Sequence, residues 1–353
     1  MAEPILLIHW RAPGDIVCMT ACVRDLALTY PGRYEIHVAG SCSALWEHNP
    51  HVAKVWGATP PRNLPTYRLS YLEGLKSSDQ SKLHFLTAFH RDLETKLGAP
   101  VPVLQPKGDL HLSKWHRENR PIQERYWYVV AGGKSDITTK IWSITRFQEV
   151  VDVLKEHGIS LVQDGATHAG HRHPTLSGVR SLVGQTNLRD VLWLIYHADG
   201  VICPVTFAMH VAAAFDKPCV VIAGGREPWW WEAYVNSEGC TFGPNCGPVP
   251  VPHQFLHTHG QLSCCQNGGC WKSQVSSING GGAESVCEKP VDDDHGQIIP
   301  ACLKLVSPEM VVNAVLEYYE TGALDPTPGM ALRSRQLAFS QVVNSAVARV
   351  IRN

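Results

Sequence analysis

The segment from Gly184 to Pro228 decides the fold, and it reads GQTNLRDVLWLIYHADGVICPVTFAMHVAAAFDKPCVVIAGGREP. LRDVLWLIYHA and TFAMHVAAAFDK carry apolar residues at helical spacing, and each is followed by a short apolar run, DGVICPV and PCVVIAGG. Helices that alternate with short buried strands predict parallel strands joined by right-handed crossovers. The segment therefore predicts a doubly wound α/β domain.

The same alternation continues on both sides of this segment. Towards the N-terminus of the segment, YWYVVAGG, ITRFQEVVDVLKEHG and ISLVQDGA predict strand, helix and strand. At the start of the chain, PILLIHW, IVCMTACVRDLALTYPG and YEIHVAG predict the same order. We therefore expect an N-terminal domain at 1–120, a C-terminal domain at 121–330, and a final helix at 331–353 that can pack back on the first domain. Ligands of such folds bind between the carboxyl ends of the strands.

Composition excludes several classes of protein. The chain has 353 residues, 44% of them hydrophobic and 18% charged, and a formal net charge of −1. This charge argues against a nucleic-acid binder that relies on a broad basic face. No apolar run approaches the ~20 residues that span a bilayer, and the first residues do not resemble a signal peptide. We expect a cytoplasmic protein that is not transmembrane.

The first candidate site residues follow the first predicted strand, in RAPGD. Gly14 and Asp15 lie at a strand-to-helix turn that faces the expected cleft. Asp15 can act as an ordinary helix N-cap, or its carboxylate can face a ligand.

Two further loops suit a phosphate ligand. Gly132 permits close backbone approach, and Lys134 and Lys140 follow it, although a single loop lysine usually lies in solvent. Thr206, Met209 and His210 stand at a helix N-terminus, where free N–H groups and the helix dipole favour anions. Gly224, Gly225 and Arg226 follow the next strand, towards the same cleft.

These three segments together resemble glycosyltransferase family 9, the ADP-heptose heptosyltransferases. The resemblance rests on the Gly-Asp pair with its apolar helix and Tyr-Pro, on Lys-x-Trp at Lys140, and on the segment quoted above. It implies the GT-B fold, with two Rossmann-like domains facing a cleft. It also implies that Asp15 is the catalytic base and that the nucleotide sugar is bound by a set of residues from both domains: Gly14, Gly132, Lys134, Lys140, Thr206, Met209, His210 and Gly225. Val205-Thr206-Phe207 departs from the Asp-Ser/Thr-Gly usual there, so any contact made by that Asp is lost.

The function that this resemblance implies is transfer of a sugar with inversion, without a catalytic metal. The expected donor is ADP-heptose, and the acceptor is a hydroxyl of a glycan or a protein. Two alternatives remain open at this stage: a nucleotide-sugar epimerase of the same architecture, and a non-catalytic scaffold that binds nucleotide sugars.

A cysteine-rich segment, predicted as an insertion at 235–305, interrupts the C-terminal domain. The segment has little apolar periodicity, and four thiolates are a tetrahedral site for Zn²⁺ or iron that could order it. Reduced surface cysteines or a disulfide are the alternatives. The segment is similar to that of bacterial autotransporter heptosyltransferases, which implies iron, while the chemistry alone also allows zinc. We expect four ligands, with Cys265 favoured over its neighbour, and a contact that can support a homo-oligomer; the candidates are Cys264, Cys265, Cys270, Cys287 and Cys302.

Three other clusters carry weaker signals. His168, His171 and His173 are typical of either a metal site or an exposed polar loop. The histidines near residue 257 adjoin the cysteine-rich segment. The run Trp229–Trp231 suits a sugar face, an interface or a core.

Overall fold

The structure is a computed structural model that describes residues 1–168, 170–236, 242–244, 246–277 and 282–325. The predicted final helix at 331–353 lies outside the described residues. No helix within the described part of the chain is long and apolar enough to cross a membrane.

The first half of the chain forms a four-stranded parallel sheet in the order β3-β2-β1-β4. Its strands are β1 (Glu3–His9), β2 (Tyr34–Gly40), β3 (Lys54–Trp56) and β4 (Thr66–Arg68). The chain order reverses between β1 and β4, and this switch point is where open α/β sheets leave a crevice for a ligand.

The second half contains the remaining described strands. These are β5 (Trp127–Val129), β6 (Gly133–Lys134), β7 (Leu161–Gln163), β8 (His171–Arg172), β9 (Arg180–Ser181), β10 (Gly200–Pro204), β11 (Cys219–Gly224), β12 (Gln254–His257), β13 (Pro290–Asp292) and β14 (Ile298–Pro300). Six of them form a parallel sheet in the order β12-β11-β10-β5-β7-β9, whereas β6–β8 and β13–β14 are antiparallel pairs. This is the order of a Rossmann sheet, with its switch point between β5 and β10.

The described α-helices cover the sheets or connect their strands. They are α1 (Pro13–Thr29), α2 (Leu72–Ser77), α3 (Phe85–Leu97), α4 (Lys114–Glu118), α5 (Ile144–Glu156), α6 (Leu188–His197), α7 (Phe207–Ala214), α8 (Trp229–Glu232), α9 (Ala301–Lys304) and α10 (Pro308–Thr321). Local sequence sets their ends: Asn187 and Asp190 form a capping box at α6, and α10 begins with Pro308 and ends at the left-handed Gly322.

The fold class agrees with the prediction of two Rossmann-like halves. The proposed boundary at residue 120 falls between the two sheets and stays a prediction. One apolar core extends across both halves, because α1 of the first packs against α7 of the second.

Several strands were missed by the sequence patterns, among them β4 and β12. The sequence patterns predict no strand within residues 58–80, but β4 pairs there with β1. The predicted insertion at 235–305 contains β12, which pairs with β11 at the edge of the large sheet. Part of the cysteine-rich segment therefore belongs to the sheet itself.

Candidate active site

Asp15 lies at the carboxyl end of β1, in the first turn of α1. The N-cap of α1 is Ala12, whose side chain makes no capping bond, so Asp15 does not act as the N-cap. Its residue surface is only 8% exposed, and its Oδ2 atom lies 3.2 Å from Nε2 of His9. The alternative of an ordinary helix cap is thus wrong, and the carboxyl group is directed to the switch point of the first sheet.

The first turn of α1 meets α7 of the second half at very short range. A Cβ atom added at Gly14 would lie 3.0 Å from Cδ2 of His210, so glycine permits this approach. His210 is buried, and its Nδ1 atom lies 2.8 Å from the hydroxyl of Tyr234 and 3.6 Å from the sulfur of Cys18. Burial lowers the pKa of His210, while the carboxylate of Glu232 opposes that change.

Lys140 provides a cation held between two buried carboxylates. Its Nζ atom lies 2.8 Å from Oε1 of Glu227 and 3.5 Å from Oε1 of Glu232. Arg226 forms an ion pair with Glu227, and its Nε atom donates a hydrogen bond to the carbonyl of Lys272. Burial lowers the pKa of Lys140, although the neighbouring Glu232 carboxylate acts to raise it. The loop after β11 therefore fixes Lys140 in place.

These groups form one electrostatic site across the junction of the two halves. The negative charge of Asp15 acts to raise the pKa of both Lys140 and His210, against the larger effect of burial. The base candidate from the first half therefore shares a buried environment with the cationic groups of the second half.

The other predicted nucleotide-binding residues take up different positions. Thr206 caps α7 by accepting a hydrogen bond from the backbone N–H of Ala208, at 3.3 Å. Met209 is fully buried in the core. Thr206 is therefore a half-buried helix cap, whereas the side chain of Met209 packs in the core.

The glycines and the second lysine lie further out. The backbone of Arg172 and His173 covers Gly132, and the exposed Lys134 pairs with His171 through β6 and β8. Gly225 lies against the cysteine-rich segment, because a Cβ atom there would be 3.0 Å from Sγ of Cys265. The structure does not place Gly132, Lys134 or Gly225 next to Asp15.

Sequence reasoning missed three members of the site: His9, Glu227 and Glu232. Local sequence marks His9 only as the last residue of a buried strand. The two glutamates flank the tryptophans of REPWWWE, where the aromatic run was the stronger signal. Only the fold places their carboxylates on Lys140.

The cysteine-rich segment encloses a small cavity. Five cysteines line it together with Arg226 and Lys272, namely Cys264, Cys265, Cys270, Cys287 and Cys302. The cavity has room for roughly one water-sized sphere, about 10 Å³. Among the described residues, no group of three or more His, Cys, Asp or Glu side chains is already arranged to hold a metal ion. The predicted thiols therefore converge on one cavity without forming a coordination sphere.

The histidine-rich loop after β7 forms a separate cluster. The ring centroids of His168 and His171 are 4.2 Å apart, and those of His171 and His173 are 6.0 Å apart. Burial lowers the pKa of His173 to about 4. These rings pack on one another beside Gly132, at the carboxyl end of β5.

Two Rossmann sheets that face each other, with a buried carboxylate from one beside a lysine and a helix N-terminus from the other, define a GT-B glycosyltransferase. Residues 70–250, just over half of the chain, match glycosyltransferase family 9 (heptosyltransferase). The chain belongs to this family, as its sequence motifs predicted, and it is a glycosyltransferase.

Solved structures show the same fold at low sequence identity. The iron-containing dodecameric glycosyltransferase TibC of enterotoxigenic E. coli H10407 has a TM-score of 0.57 and 18% identity, over 90% of this chain and 76% of TibC. TibC in complex with ADP-D-β-D-heptose has a TM-score of 0.50 and 19% identity, over 75% and 71%. The E. coli ADP-heptose LPS heptosyltransferase II has a TM-score of 0.54 and 16% identity, over 88% and 97%. No curated protein sequence matches the chain.

Proposed function

We propose that this glycosyltransferase moves heptose from ADP-heptose to an acceptor hydroxyl, with inversion at the anomeric carbon. The observation that carries the proposal is Asp15: its carboxyl group is buried at the domain junction and bound through Oδ2 to His9. Oδ1 is left to accept a proton from a hydroxyl. The choice of ADP-heptose draws on the fold neighbours, since TibC has been obtained with ADP-D-β-D-heptose.

The proposed reaction is one displacement. Asp15 takes the proton of the acceptor hydroxyl while that oxygen forms a bond to the anomeric carbon from the face opposite the diphosphate. The bond between the anomeric carbon and the diphosphate oxygen breaks, and ADP leaves with the electron pair. A single attack from the opposite face inverts the configuration.

The second half of the chain stabilises the negative charge that develops on the leaving diphosphate. Lys140 brings a cation that Glu227 already holds in position, and the N-terminus of α7, which begins after Thr206, brings the positive end of the helix dipole. Such preorganised charge is often the largest contribution to an enzymatic rate.

The proposal is tested with purified protein, ADP-heptose, and two acceptors: de-acylated lipopolysaccharide core and a Ser/Thr-rich peptide. We expect ADP release to depend on an acceptor, and NMR of the product to show the inverted anomer. Asp15→Asn should lower transfer by at least ~10²-fold with donor affinity nearly unchanged, whereas Asp152→Asn, on the exposed face of α5, should behave as wild type.

Three outcomes contradict it. A changed nucleotide sugar formed without acceptor indicates the epimerase. Tight donor binding without turnover on either acceptor indicates the scaffold. Transfer by Asp15→Asn at the wild-type rate removes Asp15 as the base.

We also propose that the cysteine cavity holds one iron or zinc ion. The residues fit such an ion in number and chemistry, because five thiols line a space of about atomic size, and four thiolates satisfy either metal. The ion would connect the parts of the segment that carry the thiols and would take no part in transfer.

The surroundings of Cys265 change the choice of ligands. Its sulfur lies 3.6 Å from the carbonyl oxygen of Thr258 and 3.4 Å from that of Leu262, so its single S–H hydrogen has two oxygen acceptors within reach. A thiolate there would face two oxygen acceptors, so we assign Cys265 as the fifth, protonated cysteine. This reverses the expectation that Cys265 is preferred to Cys264. The proposed ligands are Cys264, Cys270, Cys287 and Cys302.

We further infer a cytoplasmic location and a homo-oligomer. Every cysteine among the described residues is free rather than in a disulfide, which suits a reducing compartment. We infer the homo-oligomer because TibC is dodecameric. Light scattering on the purified protein measures the number of chains in the assembly.

A further inference from the structure

We propose that His9 is the positioning residue of the base: it holds the Asp15 carboxylate ionised and leaves its Oδ1 atom for the acceptor hydroxyl. This inference rests on the proposed role of Asp15 in sugar transfer. His9 lies six positions before Asp15 in the sequence, and the turn between β1 and α1 brings the two side chains together.

The position of the His9 ring is fixed on every side. Its Nδ1 atom donates to the carbonyl of Leu69 at 2.9 Å, and the backbone N–H of Leu69 donates to the carbonyl of Ile8 at 2.9 Å. Phe89 lies edge-on to the ring, with centroids 5.1 Å apart, and the tilted ring of Tyr71 has its centroid 6.2 Å away. The residue is 5% exposed. The ring therefore presents Nε2 to Asp15 and has little freedom to turn away.

The hydrogen-bond partners decide where the protons are. A carbonyl oxygen only accepts, so Nδ1 of His9 carries a hydrogen. If the ring were neutral, Nε2 would then be an acceptor facing a carboxylate that also only accepts. The 3.2 Å contact with Asp15 needs a proton between the two atoms. We place it on His9, as an ion pair of imidazolium and carboxylate, because a carboxyl group that held this proton itself could not serve as the base.

The same contacts assign the two roles. Both ring nitrogens of His9 are occupied, by Leu69 and by Asp15, so His9 has no free atom for an acceptor hydroxyl. Asp15 uses Oδ2 for His9 and keeps Oδ1. When Asp15 accepts the hydroxyl proton on Oδ1, His9 continues to donate to Oδ2, and the pair goes from neutral to a single positive charge.

The ion pair has a physical purpose at this site. Burial of a carboxylate favours its protonated form, and a protonated Asp15 is no base. The charge of Asp15 acts to raise the pKa of Lys140 and His210 in the second half and of Cys18, Cys42 and Tyr71 in the first, so these groups share its environment. His9 is the group in direct contact with the carboxylate. Its removal should therefore make Asp15 harder to ionise.

The kinetic test compares His9→Phe and His9→Gln with wild type over a range of pH. We expect kcat/KM at pH 7 to fall at least ~10-fold and its acid limb to move up by about 1–3 pH units, with the Kd of ADP-heptose unchanged. Gln, which keeps one donor, should lose less than Phe. His37→Gln is the matched control, because His37 lies on β2 with its own carboxylate partner, Glu35, and should leave the profile unchanged.

A second measurement uses wild-type protein and does not depend on activity. In protein labelled with ¹³C and ¹⁵N, NMR of the His9 ring, assigned by through-bond correlation to its own backbone, should show both nitrogens protonated at pH 7. Asp15→Asn should convert the ring to the neutral form protonated at Nδ1. A neutral His9 in wild type would overturn the inference even where a His9 variant fails to fold.

The two proposals fail in different ways. If Asp15→Asn abolishes transfer while His9→Phe keeps the wild-type pH profile, Asp15 is the base and the inference about His9 is wrong. If Asp15→Asn transfers at the wild-type rate, the proposed base is wrong, and the inference falls with it.

Discussion

At the scale of single residues, Lys140 shows how burial turns an ordinary loop lysine into a candidate ligand group. Its side chain is only 21% exposed and contacts two carboxylates. Burying a lysine with two acidic partners costs stability, because the charged groups lose water, whereas a lysine in solvent has no such cost. This arrangement suits a cation that must be ready when a diphosphate arrives.

Lys140→Ala should therefore weaken donor binding. Loss of a charge-assisted contact costs about 1.5–3 kcal/mol, roughly a tenfold to hundredfold rise in the Kd of ADP-heptose. Isothermal titration calorimetry with ADP, the expected product, gives the same comparison without turnover. Lys114→Ala, which changes an exposed lysine on α4, serves as the control. An unchanged Kd in a folded Lys140→Ala protein would show that the lysine is structural.

The sequence predicts some residues of this site and not others, for a physical reason. Asp15 and His210 lie in the first turns of helices that follow predicted strands, so local pattern alone places them near strand ends. Glu227 and Glu232 become site residues only because β11 delivers their loop to Lys140, some ninety residues earlier in the chain. Contacts between residues so far apart in the chain produce no periodic pattern in a single sequence.

At the scale of elements, the junction of α3, α7 and the start of β12 encloses three buried histidines around Tyr234. His84 caps α3 and accepts the N–H of Leu86 through Nδ1, His210 lies on α7, and His253 precedes β12. Their ring centroids lie 4.9, 5.7 and 5.3 Å from that of Tyr234. Burial is the main cause that lowers the pKa of all three, that of His253 to about 3.

Stability should therefore fall with pH below about 6.5, the usual histidine value. In that range the unfolded chain binds protons that the folded chain excludes, so each such histidine removes about 1.4 kcal/mol of the free energy of unfolding per pH unit. Urea denaturation from pH 7.5 to 5 measures the slope. His253→Leu should make the slope shallower, and an equal slope in that variant would contradict the assignment.

At the scale of the whole molecule, the cysteine-rich segment connects the two halves. Asp79 of the first half accepts hydrogen bonds from the N–H of Gly269 and from Nε1 of Trp271, both at 3.2 Å. Trp271 has a left-handed backbone, with φ of +56°, a conformation that costs a bulky residue about 1–2 kcal/mol. The segment is therefore held in a strained form against the other half by its surroundings.

The overall architecture was more predictable than this segment. Alternating strands and helices such as those around β10, α7 and β11 favour parallel sheets, and right-handed crossovers limit the strand orders that such a sheet can adopt. The segment at 235–305 lacks such a pattern because its order comes from long-range contacts and, in our proposal, from an ion. For the same reason β12 was not recognised as an edge strand.

Removal of the proposed ion should lower the stability of the protein before it affects sugar transfer. Cys270 lies between Gly269 and Trp271, the two residues that hold Asp79, so an ion bound at Cys270 would fix the contact between the halves. Treatment with a chelator should lower the Tm and expose the loop near residue 270 to protease, while transfer measured well below the new Tm persists. Cys270→Ser should lose stoichiometric metal, and Cys265→Ser, the matched control in the same cavity, should retain it. Elemental analysis distinguishes iron from zinc. A folded, metal-free preparation with an unchanged Tm and freely titratable thiols would show that packing and hydrogen bonds alone hold the two halves together.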